Sequence, residues 1–256
     1  MNRVSTALGR AIARYIEKQT KGYLLLSAVS AAKVRACLQP GDVVLVEGDR
    51  RISTAIKYLT QSTWSHAAMF VGDGPGRDLI EADLRQGVRY LALEELLHLN
   101  IRICRAVGLT EIDRTRVTDH MRASIGHQYD LKNVVDLARY LLPQPPVPKR
   151  FRRRMLALGS GDPTRAICSS LIAEAYQSVR YPILPMIETL QVGDGVMREI
   201  LHIKHFSLFA PRDFDVSPYF QVVKPTIEQG FDYLSLHWGG PAPIGRKLMP
   251  ADAEPI

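Results

Sequence analysis

Three residues in separate apolar blocks have the types that nucleophilic acyl chemistry needs: Cys168 in ICSSLIAEAYQSV (167–179), His66 in SHAAMFVGDG (65–74) and Glu81 in DLIEA (78–82). Cys168 lies near the start of a segment with helical periodicity, where free backbone N–H groups and the helix dipole stabilise a thiolate. Leu171, Ile172, Ala175 and Tyr176 give that segment a buried stripe that would hold its first turn rigid. The competing reading is a core cysteine on an apolar helix face. A thiolate catalyst needs a base within hydrogen-bond reach, and a strand-borne imidazole such as His66 is a good candidate because the strand fixes its direction. Against it stands the structural histidine of an ordinary core. The base needs an acceptor to set its tautomer. Glu81, in the middle of an apolar run, is the first choice, with Asp73, Asp78 or Gln128 as alternatives.

The elements that must position these groups can be read from the same patterns. Pro40-Gly41 breaks the chain before GDVVLVEG (41–48), a short apolar strand. SHAAMFVGDG, DLIEA and IRICRAV (101–107) read as further strands joined by short turns, which predicts an antiparallel sheet. LALEELLHL (91–99) reads as helix, as do 111–126 and 131–142. PQPPVP (143–148) ends the last of these, Pro163 suits the first turn of the cysteine helix, and FQVVKP (220–225) reads as a late strand. Residues 3–37 read as one basic amphipathic helix, with Val4, Leu8, Ile12 and Tyr15 opposite Arg3, Arg10, Arg14 and Lys21.

A chain of 256 residues with 46% hydrophobic and 23% charged residues is composed like a globular protein. Its formal charge of +7 is unevenly placed: residues 1–40 hold seven bases and one acid, residues 145–165 six and one, and the remainder 20 bases against 24 acids. A nucleic-acid partner is not expected from such a distribution. The two basic blocks, 1–37 and 149–154 (KRFRRR), instead suggest an anionic membrane surface as a possible partner. Cys37, Cys104 and Cys168 are too scattered for a disulfide framework or a zinc site, and the seven histidines form no ligand motif. No metal and no cofactor are therefore expected, in a cytoplasmic protein peripheral to membrane at most. GYLLLSAVSAA (22–32) follows too long a basic region for a signal sequence, and no stretch approaches a membrane span.

Taken in order, GDVVLVEG, SHAAMFVGDG, LIEA, GHQYD (126–130) and CSSLIAEAY (168–176) resemble the circularly permuted NlpC-type branch of papain-like cysteine enzymes, the YiiX/YebB-like group. In that group the histidine strand precedes the cysteine helix, which is the order here. The resemblance implies an α+β fold, with an antiparallel sheet packed against the cysteine-bearing helix. It implies Cys168 as nucleophile, His66 as base and then acid, Glu81 as the residue orienting His66, and Tyr129 as a cleft-lining candidate. The expected organisation is a helical extension (1–37), a catalytic domain (38–225) carrying a basic insertion (143–165), and a tail (226–256). The function implied is a cysteine-dependent amidase or peptidase working through a thioester, on a small-molecule, peptide or lipid amide or ester. A lipid acyltransferase like the lecithin–retinol enzymes, and a catalytically silent binding module, are the alternatives.

Overall fold

The computed structural model describes residues 23–25, 30–83, 86–127, 167–191 and 197–235. In chain order, helix α1 (Ala31–Cys37) leads into strand β1 (Val43–Glu47), helix α2 (Arg51–Thr60), and strands β2 (His66–Phe70), β3 (Leu79–Asp83) and β4 (Gly87–Leu91). A 3₁₀ turn (Leu93–Leu96) precedes β5 (Asn100–Ala106) and helix α3 (Glu111–Ala123). The cysteine-bearing helix α4 (Ile167–Ser178) follows, then a hairpin of β6 (Met186–Gln191) and β7 (Met197–His202). Helix α5 (Pro211–Asp215), strand β8 (Phe220–Val223) and helix α6 (Pro225–Glu228) complete the order.

Six strands form one sheet in the order β4-β3-β2-β1-β5-β8, and each neighbouring pair is antiparallel. This is the antiparallel sheet that the short strands and tight turns predict, in the α+β architecture that the resemblance implies. One face carries Val43, Leu45, Ala67, Met69, Ile80 and Cys104, packed with Val117 and Met121 of α3 and Leu171, Ile172 and Tyr176 of α4. The other carries Val44, Val46, Ala68, Phe70, Leu79 and Ile103 beneath Val34 of α1 and Leu93 and Leu96 of the 3₁₀ turn. With both faces of β1 apolar, the hydrophobic pattern cannot by itself fix its register, since a one-residue slip trades one buried face for another. Polar pins do so. Asp42, just before β1, takes a bidentate pair from Arg105 at 2.9 and 2.7 Å, and Glu47 at the other end accepts from Asn100 Nδ2 at 2.9 Å.

Several expected elements differ in the structure. The helix expected over 3–37 is not continuous: residues 23–25 and 30 lie outside helix, and α1 starts only after Ser30, whose hydroxyl caps Lys33 N–H. Tyr23 and Leu24 instead serve the sheet edge, the Tyr23 hydroxyl and the Leu24 carbonyl accepting from Asn100. The helix expected over 91–99 is only the 3₁₀ turn, because Leu91 ends β4 and the chain must turn at once into β5. Residues 131–142, the PQPPVP segment, the 149–154 basic run, Pro163 and Tyr129 lie outside the described residues.

Candidate active site

Helix α4 packs on β2 and β3 and brings Cys168 against the start of β2. The β2–β3 pairing runs from Phe70↔Leu79 to Ala68↔Glu81 and stops there, while β3 continues along β4 as far as Asp83↔Gly87. Beyond Ala68 the two strands part. The Ala67 N–H hydrogen-bonds to the Cys168 sulfur. The start of β2 is itself held tightly: Ser65 N–H donates to the Val46 carbonyl at 3.0 Å, and Gly48 N–H donates to Ser65 Oγ at 3.0 Å. Only glycine allows that approach, since a Cβ at Gly48 would lie 2.2 Å from Ser53 Oγ and 2.9 Å from Ser65 Oγ.

His66, Glu81 and Arg89 form a row across three strands. Glu81 stands opposite Ala68 and opposite Arg89, which makes it the diagonal cross-strand neighbour of His66. His66 Nε2 lies 2.7 Å from Glu81 Oε2, and Arg89 Nη2 lies 2.7 Å from Glu81 Oε1, so each carboxylate oxygen has its own partner. His66 also hydrogen-bonds the Cys168 side chain. With Nε2 engaged by Glu81, Nδ1 is the ring nitrogen left to face the sulfur.

The electrostatics follow from burial opposed by these partners. Cys168 is only 6% exposed, and burial alone would push its thiol up. The His66 charge, with hydrogen bonds from His66, Ala67 N–H and Ser169, outweighs burial and brings the pKa below the ordinary thiol value. Burial likewise opposes charge on His66, yet the Cys168 sulfur and the Glu81 carboxylate raise its pKa well above the usual imidazole value. Glu81, 7% exposed, would be raised by burial but is held below its ordinary value by His66 and Arg89. The arrangement favours a thiolate–imidazolium pair backed by a carboxylate. By contrast, burial pushes the Cys104 thiol up to about 12, which makes it inert.

The alternatives to Glu81 are engaged elsewhere. Asp73 bonds Arg122 and the Tyr90 hydroxyl, and Asp78 bonds Arg35 and the Leu93 N–H; Gln128 lies outside the described residues. Sequence reasoning missed Arg89, because it placed no strand over 87–91, and only the β3–β4 register sets this arginine opposite Glu81. Among the described residues, no group of three or more His, Cys, Asp or Glu is placed to hold a metal ion, and no helix is long and apolar enough to cross a membrane.

Residues 37–140 match the sequence profile of a family described as permuted papain-like amidase enzymes, YaeF/YiiX, C92 family. The matched segment contains His66, Glu81 and Arg89 and ends before Cys168. No curated protein matches the chain. Among solved structures, the chain is similar to one titled metalloprotein yiiX from Escherichia coli O157:H7, at 14% identity and a TM-score of 0.44, covering 73% of this chain and 97% of that one.

Proposed function

We propose that this chain, whose residues 37–140 match the permuted papain-like amidase family, hydrolyses an amide through a thioester on Cys168. The Cys168 thiolate attacks the carbonyl carbon, and the oxyanion that forms is held by backbone N–H groups at the start of α4. Collapse breaks the C–N bond as the departing nitrogen takes the proton from the His66 imidazolium. The neutral imidazole then accepts a proton from water as that water attacks the thioester. The acid leaves and the thiolate–imidazolium pair is restored. Glu81 keeps the ring oriented and charged during the first half of the cycle, and Arg89 keeps Glu81 ionised.

The observation that carries this reading is the single imidazole hydrogen-bonded on one side to a thiol of lowered pKa and on the other to a carboxylate at 2.7 Å. A core histidine needs neither partner to be ionised. The test is hydrolysis of a panel of N-acyl p-nitroanilides and dipeptide amides by the intact protein, by Cys168→Ala and by His66→Ala. Turnover by the intact protein that both variants lose supports the proposal. Turnover that survives Cys168→Ala, or a panel untouched alongside a Cys168 that titrates like free cysteine, overturns it in favour of a silent binding module.

A further inference from the structure

Beside this site lies a recess of about 530 Å³ lined by Lys57, Gln61, Trp64, Arg102, Arg212 and Asp215. Its position relative to the nucleophile follows from strand register. Ala67, whose N–H meets the Cys168 sulfur, pairs with Leu45, and Leu45 pairs with Arg102. Residues directly opposite share a face, so Arg102 stands on the α4 side of the sheet two strand spacings from Ala67, about 10 Å. The Arg102 guanidinium lies 4.9 Å above the Trp64 ring, and Trp64 belongs to the same buried cluster as Cys168.

The charges in the recess are unequal. Lys57 pairs with Glu47 at 3.2 Å, and Arg102 pairs with Asp215 at 2.5 Å. The other Asp215 oxygen accepts the Trp64 indole N–H at 3.0 Å, so Asp215 is fully used. Arg212, on α5, has no acidic partner among the described residues and stands partly exposed at the recess wall. Among the described residues, the recess thus offers one guanidinium without an acidic partner beside an aromatic ring, within a volume of the size that small-molecule sites occupy.

We propose that this recess is a subsite for a carboxylate of the substrate, held by Arg212 while the chain joining it to the scissile amide crosses Trp64. The proposal rests on Cys168 being the nucleophile, which sets where the scissile bond lies. A net charge of one suits a carboxylate better than a doubly charged phosphate. The substrate class is accordingly an amide that also bears an acidic group, displaced from the reacting carbonyl toward Arg102 and Arg212.

Binding can be measured without the thiol. The chain has two tryptophans, Trp64 and Trp238, so Trp238→Phe in a Cys168→Ala background leaves Trp64 as the fluorescent reporter. Glutarate should change its emission saturably and uncharged glutaramide should not. The half-saturation concentration for glutarate should rise with added salt. Arg212→Gln should weaken glutarate binding about tenfold or more, the loss expected for a charge-assisted hydrogen bond, with the thermal midpoint unchanged. The subsite is overturned if glutaramide or inorganic phosphate binds as tightly as glutarate, if salt has no effect, or if Arg212→Gln binds like its parent. Absent glutarate binding with normal acylation of Cys168 sinks the subsite alone. Glutarate binding with an unreactive Cys168 sinks the amidase reading and leaves an anion site.

Discussion

Replacing Glu81 with glutamine would isolate the charge of the carboxylate from its shape. Glutamine keeps an oxygen within reach of His66, so the ring should stay in place while the anion behind it is lost. The bond removed is a charge-assisted one at 2.7 Å, worth about 1.5–3 kcal/mol. At about 1.36 kcal/mol per unit, this corresponds to a fall of about 1–2 units in the His66 pKa. The Arg89 guanidinium, left without its anion, acts in the same direction. Because the imidazolium stabilises the Cys168 thiolate, the thiolate–imidazolium pair should become about 10–100-fold scarcer relative to the neutral pair. The sign is fixed by the direction of the Cys168 shift. A thiol with lowered pKa is ionised above that value and protonated as pH falls through it, so losing the stabilising cation moves the acid limb to higher pH. The assay is the second-order rate of Cys168 alkylation by iodoacetamide from pH 4 to 9, with the labelled cysteine mapped by mass spectrometry. The acid limb should move up by about one unit or more. Superimposable profiles for the parent and Glu81→Gln, at equal thermal midpoints, would refute the coupling.

Further outcomes follow from the same contacts. Arg89→Met leaves the buried Glu81 carboxylate with one partner fewer, and the loss of about 1–3 kcal/mol should lower the thermal midpoint by several degrees, with Arg89→Lys restoring part of it. An unchanged midpoint would show that Arg89 does not hold Glu81. Arg35→Met removes the partner that keeps buried Asp78 below its ordinary carboxylate value. A group so depressed contributes stability above its unfolded pKa and loses it as pH falls through the folded value. The parent's advantage in urea midpoint should therefore be present at pH 7 and shrink as the pH falls below about 4; a constant difference would contradict this. Under the same iodoacetamide treatment at pH 7, Cys104 should stay unlabelled while Cys168 reacts, and labelling of Cys104 in the folded protein would contradict its inertness.

The sheet and the cysteine helix were legible because their signals are local. Short apolar runs punctuated by Gly and Asp mark β1, β2 and β3, and Leu171, Ile172, Ala175 and Tyr176 keep helical spacing. His66, Glu81 and Cys168 could be picked out as polar or reactive groups embedded in those runs. What escaped depends on register or on distant segments. Arg89 acquires meaning only opposite Glu81, and the recess draws Lys57, Arg102 and Arg212 from three separate stretches. Helix α2 begins after Arg50, which makes no side-chain cap, so nothing in sequence announces its start. The N-terminal pattern overstated helix because Tyr23 and Leu24 make hydrogen bonds with Asn100 at the sheet edge, a tertiary gain that amphipathicity cannot register.

The central claim is a covalent one, and the most direct measurement is the mass of the protein quenched in acid milliseconds after mixing with an activated N-acyl amide. The account predicts a transient species heavier by the acyl group, mapped to Cys168, that decays at the rate of acid release and is absent from Cys168→Ala. Acid release with no adduct on Cys168, or an adduct that forms equally well in His66→Ala, would contradict it.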